Sequence, residues 1–274
     1  MLTEYSSSTL ASFLGDSNFP KVAIESSHGG KIRLYQDLYM QYSRLAFTRQ
    51  SDRPVAIAGL EKRLIQSFGV HGGLGVLVQS GTSNDRLGML RRSLLWHRSI
   101  DEKSLEPIDF GDFGITAPLP TWSWMAYSGG IGYLDVPFGE IDWEAKELRS
   151  PWAAEEDGGW YSSDGVGVVE ISAIARDFDR KAIEGRNDAR VMYDIPSTTT
   201  DWAAEEVKCV VLGKQKSAAT SDRLLENQRC WIMVVLVSTA QTHAGKSLCR
   251  RVGVGCVPRK LINLDQRGVP VKIR

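Results

Sequence analysis

Long apolar runs are missing from this chain. The longest, Trp231–Val237, is about a third of what a membrane-spanning helix needs. The N-terminal stretch MLTEYSSSTLASFLGDSNF has no basic region followed by a sustained apolar run, so the sequence predicts no secretory signal and a cytoplasmic protein. An excess of one charge is missing too. Thirty-three basic residues balance thirty-three acidic ones, and no net field draws the chain to nucleic acid or to anionic lipid. The four cysteines (Cys209, Cys230, Cys249, Cys256) form no CxxC, which favours reduced, buried thiols over a disulfide framework. His243, Cys249 and Cys256 are spaced like no standard zinc site, so no metal is expected. There is no GxGxxG, GKS/GKT, GxSxG, HExxH or SxxK, and the sequence implies no cofactor.

What is present divides the chain. Residues 1–30 are rich in Ser and Gly and read as a poorly ordered lead-in. Over residues 31–69, Tyr35, Leu38, Tyr39, Tyr42, Leu45 and Ala46 recur at helical spacing. A second stripe, Ile57, Leu60, Leu64 and Phe68, follows a Ser51/Asp52 start signal and ends at Gly69. Two helices joined so closely predict a hairpin. Residues 70–165 read as a loop-rich segment. In it, LGMLRRSLLWH (Leu87–His97) suits a short helix or a buried strand, and 107–120 suits a surface loop.

From 166 to 274 the period becomes two, in VGVVEISAIARDF, VKCVVLGKQK, CWIMVVLVS, CRRVGVGCV and VPVKIR. CWIMVVLVS is apolar on both faces and reads as the central strand. Residues 181–206 and 214–229 read as polar connections, with a helical turn near Ser221–Gln228. The whole of 31–274 is expected to be one α+β domain, an N-terminal helical hairpin packed on a mainly antiparallel β-sheet or barrel-like core.

The densest chemistry lies in PTWSWMAYSGGIGYLDVPFGEIDW (Pro120–Trp143). Trp122 and Trp124 sit two apart, so on a strand they share a face, with Ser123 opposite. With Tyr127, Tyr133 and Trp143 they form either a hydrophobic wall beneath the Gly129–Gly130 turn or an aromatic pocket for a flat, apolar ligand. Asp135 and Asp142, with Glu140, supply a paired-carboxylate acid/base site if the loop folds back; otherwise they are solvated. His97 is the histidine nearest this cluster in sequence, either a proton carrier or a hydrogen-bonded structural residue. His28, His71 and His243 have no acidic partner at a readable spacing. Arg53, Arg63, Arg91 and Arg92 suit an anion site or pairing with nearby acids. The glycine-rich GGLGV (Gly72–Val76), GVGVV (Gly165–Val169) and GVGCV (Gly253–Val257) read as strand bends or close backbone contacts.

Three stretches, YQDLYMQYSRLAFTRQSDRPVAIAGLEKRLIQSF (Tyr35–Phe68), LLWHR (Leu94–Arg98) and the Pro120–Trp143 segment, together resemble the C-terminal half of fungal heterokaryon-incompatibility (HET-domain) proteins. RRVGVGCV (Arg250–Val257) is similar to the strand that closes many of them. In that family the toxic domain precedes these stretches and carries Tyr-Cys-Trp-Gly-like and Trp-Thr-Leu-Gln-Glu-Arg-like motifs. It resembles TIR-type folds implicated in NAD breakdown. Neither motif occurs here, so no effector residue carries over. The resemblance implies a stand-alone binding or regulatory module of non-self recognition, with a protein or a small hydrophobic or aromatic ligand as partner. The other reading is a cofactor-free cyclase- or isomerase-like enzyme of fungal secondary metabolism, with Trp122, Trp124, Tyr127 and Trp143 enclosing the substrate and Asp135, Asp142 or His97 moving protons.

Overall fold

A computed structural model describes residues 29–45, 47, 52–79, 88–109, 119–144, 146–152, 169–196, 206–217, 225–243 and 246–274. His28, nearly all of the expected lead-in, and most of GVGVV and of the 107–120 loop fall outside these ranges.

Helices and a large mixed sheet make the chain α+β. Helix α1 (Gly30–Ser43) buries Ile32, Tyr35, Leu38 and Tyr39. Its predicted stripe runs too far, because the helix stops at Ser43 and leaves Leu45 44% exposed. Helix α2 (Asp52–Phe68) buries Ile57, Leu60, Leu64 and Phe68. Strands β1 (Val70–Gly73) and β2 (Val76–Gln79) form an antiparallel pair. Leu87–His97 resolves the helix-or-strand ambiguity by being both: a short helix α3 (Met89–Ser93), then β3 (Trp96–Arg98). Next come β4 (Glu106–Pro107), a 3-10 turn at Trp124–Ala126, β5 (Tyr127–Ser128), β6 (Ile131–Tyr133), β7 (Ile141–Trp143) and β8 (Leu148–Arg149). Strand β3 pairs with β6, and β4 with β5.

The C-terminal half supplies β9 (Ile171–Ala175), β10 (Arg190–Tyr193), β11 (Glu206–Gln215), β12 (Arg229–His243), β13 (Lys246–Pro258) and β14 (Val269–Ile273). Among the described residues the main sheet has eight strands, ordered β7-β11-β12-β13-β14-β9-β8, with β10 added to β13. Pairing is antiparallel except between β13 and β14. The sheet curls back on itself: Arg176 and Cys209 exchange backbone hydrogen bonds of 2.8 and 2.9 Å, tying the end of β9 to β11. Strand β12 lies between β11 and β13 and is covered on both faces, which explains why both are apolar. Trp231, Met233, Val235 and Val237 enter one buried cluster, whereas Cys230, Ile232, Val234 and Leu236 enter another. A third cluster joins α1 and α2 to Trp96, Trp124 and Tyr127. No helix among the described residues is long and apolar enough to cross a membrane.

Part of the 181–206 stretch, read as a polar connection, is strand β10. It is four residues long and only partly buried, too short for a period-two signal to stand out. It fits because β13 carries glycine opposite it. A Cβ on Gly253 would lie 2.5 Å from the Met192 carbonyl oxygen, and one on Gly255 2.6 Å from that of Arg190. The close-contact reading of GVGCV holds at both positions. Gly253→Ala should therefore destabilise the protein by about 1–3 kcal/mol in urea unfolding; an unchanged midpoint would mean that β10 does not lie against β13.

Candidate functional site

The tryptophan segment runs along the seam between the cluster inside the sheet and the cluster under the helices. Ser123 is extended between two turns, the first closed by its N–H on the Pro120 carbonyl at 2.9 Å. The Ser123 hydroxyl accepts a hydrogen bond from Met125 N and donates one of 2.7 Å to the Leu74 carbonyl. The following residues wind into a 3-10 turn, so the expected strand with both tryptophans on one face does not form. Trp122 turns into the sheet cluster, edge-on to Trp152 at 6.0 Å. Trp124 turns into the helix cluster, 5.3 Å from the Tyr39 ring and under the Arg53 guanidinium. Both are fully buried.

Tyr127 packs on Trp96 at 5.7 Å and Tyr133 meets Tyr35 edge-on at 6.1 Å, both beside the helix cluster. Trp143 is half-buried at the other cluster, with Arg92 over its ring at 5.0 Å. The structure thus brings Trp124, Tyr127 and Tyr133 together and sends Trp122 and Trp143 elsewhere.

The candidate proton carriers also separate. Asp135, Glu140 and Asp142 are exposed, and Asp142 lies across from Lys214 in the β7–β11 pair. His97 is buried on β3, with Nδ1 2.6 Å from the Arg98 carbonyl. Burial pushes its pKa down against the hydrogen bonds to the Arg98 and Tyr133 carbonyls, which raise it, and the nearby Arg190 and Arg251 add smaller downward effects. Solvated carboxylates and an enclosed imidazole do not make the paired acid/base site that the loop suggested.

Other ionisable groups, not singled out by sequence, are built into the seam. Arg251 on β13 is fully enclosed and pairs with Asp194 through Nε–Oδ2 at 3.2 Å and Nη2–Oδ1 at 3.1 Å. Its guanidinium lies 3.2 Å from the Trp96 ring centroid and donates to the Leu94 and Trp96 carbonyls. Burial pulls Arg251 down and lifts Asp194, each effect opposed by the partner's charge. The sequence did carry a signal, since adjacent arginines on a strand face opposite ways and one of Arg250 and Arg251 must point inward. Arg91 donates to the Glu144 carbonyl and Arg92 to the Val136 carbonyl.

Glu61 is the buried acid of α2. It accepts hydrogen bonds from the Tyr39 hydroxyl (3.2 Å), Leu74 N (3.1 Å) and Gly75 N (2.5 Å). Leu74 (φ 56°) and Gly75 (φ 82°) form the two-residue β1–β2 turn, both left-handed. A leucine held there stores about 1–3 kcal/mol of strain, which the carboxylate and Ser123 hold in place from two sides. Its signal in the sequence was a charge inside the stripe, between Leu60 and Leu64. Burial outweighs the three donors and lifts its pKa from 4.5 to about 7.

The described residues also shape an open groove of about 760 Å³ on the far face of the sheet. An antiparallel bridge between Phe178 and Ile262 forms its floor, with Asp179 N bonded to Leu261 O and Asn263 N to Asp177 O. Glu226, Arg259, Lys260 and Asp265 stand around it. None of the residues singled out from sequence lines it.

Asp194→Ala should cost about 3–5 kcal/mol in denaturant unfolding, because Arg251 is left charged and enclosed; replacing both with apolar residues should cost less. Trp122→Ala should likewise lose about 3–5 kcal/mol as a core truncation, whereas a cleft-lining ring would leave stability nearly unchanged. No protein-family model, curated protein or solved structure matches this chain.

Proposed function

We propose that this chain is a binding or regulatory module of the kind that follows the effector domain in fungal incompatibility proteins, and that it meets a protein partner through the groove beside Phe178. In this reading the two helices act as a hairpin closing one side of a barrel-like core, and the aromatic segment is the wall between them. The observation that carries it is the groove itself, which combines an apolar floor with exposed charges of both signs. That mixture is what protein–protein interfaces use to set orientation and on-rate. The aromatic rings, by contrast, are spent on internal packing, and the carboxylates of their segment are solvated.

The test is titration of the purified protein with the effector region of a HET-domain protein, followed by calorimetry or surface binding. Saturable binding is expected, and the double charge reversal Arg259→Glu/Glu226→Lys should weaken it about tenfold, mainly through the on-rate, while the unfolding midpoint stays put. Binding untouched by the reversal would move the interface elsewhere, and no binding to any effector region would remove the module reading.

A further inference from the structure

We propose that Glu61 is a proton-operated latch that holds helix α2 to the strained Leu74–Gly75 turn and releases the turn as the carboxyl ionises. The geometry is that of a clasp. One carboxyl group receives both amides of the turn and the Tyr39 hydroxyl of α1, so three elements meet at a single buried group. The turn is gripped from its other side by the Ser123 hydroxyl on the Leu74 carbonyl, and the Trp124 indole packs against Gly75. Leu74 is the non-glycine residue with positive φ among those described, a conformation that persists only while its surroundings impose it.

The charges around Glu61 do not compensate its ionisation. Tyr39 on α1 and Tyr133 on β6 face it, with Tyr35 of α1 beyond them, and burial keeps the phenols of Tyr39 and Tyr133 protonated. Arg53 of α2 lies over the Trp124 ring, and no cation contributes to the Glu61 shift. From the β1–β2 pair the titratable group is His71, which is exposed. The 3-10 turn brings Ser123 and Trp124, and α3 brings Ser93, all uncharged, to the same turn and strand pair. Once the turn opens, water reaches the carboxyl and its pKa returns toward the ordinary value.

The direction follows from linkage. Between the ordinary carboxyl value of 4.5 and about 7 the closed state keeps a proton that the open state has released. Closure is therefore strongest below the lower value, weakens about tenfold per pH unit through that window, and levels off above it, where both states are ionised.

Hydrogen exchange of the Leu74 and Gly75 amides, corrected for intrinsic base catalysis, reads this directly. Their protection should fall about fortyfold between pH 5 and 7 and then flatten, and should stay below that of the Met233 and Val234 amides of β12 throughout, because the turn opens without global unfolding. In Glu61→Gln the fall should vanish. Tyr39→Phe removes a donor that favours the ionised form, so its curve should shift to higher pH; this variant serves also if Glu61→Gln does not fold. Protection independent of pH in the parent, an unshifted curve in Tyr39→Phe, or turn amides protected as strongly as those of β12 would each overturn the latch.

Discussion

The Arg251 guanidinium is the point at which the two halves of this protein are joined. It belongs to β13, deep in the C-terminal sheet, yet its donors end on the Leu94 and Trp96 carbonyls, its plane covers the Trp96 ring, and its charge is matched by Asp194 just after β10. The Arg251 backbone N–H goes to the Thr121 hydroxyl at the entrance of the tryptophan segment. A buried cation is tolerated only where its donors are filled and a counter-charge is in place. Those conditions fix four chain segments relative to one another. The sheet cannot shift against β3 without leaving the buried guanidinium short of partners, nor the entrance of the tryptophan segment against β13 without freeing the Arg251 amide.

The tryptophan density follows from the same constraint. A seam between two clusters needs side chains large enough to reach into both, from a backbone with little regular structure of its own. Trp122 and Trp124, separated by the Ser123 bend, reach one cluster each. Ser123 satisfies the backbone there by bonding both its own turn and the β1–β2 turn. Aromatic enrichment in a loop-rich segment is therefore a packing solution here, with the Trp96 N–H answered by the Trp122 carbonyl at 2.9 Å.

How much of this was legible in the sequence depended on whether an element's period reflected its burial. The stripes of α1 and α2 and the doubly apolar run of β12 could be read because each follows one regular geometry over several repeats. Trp122 and Trp124 were placed on one face because a period of two was assumed where the chain bends, and no periodicity marks a single 3-10 turn. Strand β10 escaped because its pairing rests on Gly253 and Gly255 in a partner sixty residues away, a fact about space rather than pattern. Glu61 and Arg251 were visible as charges on faces that ought to be apolar. Their partners were not, since Leu74, Leu94 and Asp194 are brought to them by tertiary structure alone.

The candidate site moved for a related reason. Reactive side chains in a sequence attract notice by type, and Asp135, Asp142 and His97 are of the right types, but chemistry depends on what encloses them. The first two stand exposed on the surface, and the third is enclosed, with its ring hydrogen-bonded to the Arg98 carbonyl. The groove beside Phe178 has the reverse character. Asp177 and Phe178 end a run that read as a strand, Leu225 and Glu226 belong to a stretch that read as a connection, and they meet residues 259–265 because of the Phe178–Ile262 bridge. A groove assembled this way leaves no local motif. It is set by where the curled sheet ends and the connecting segments must cross it.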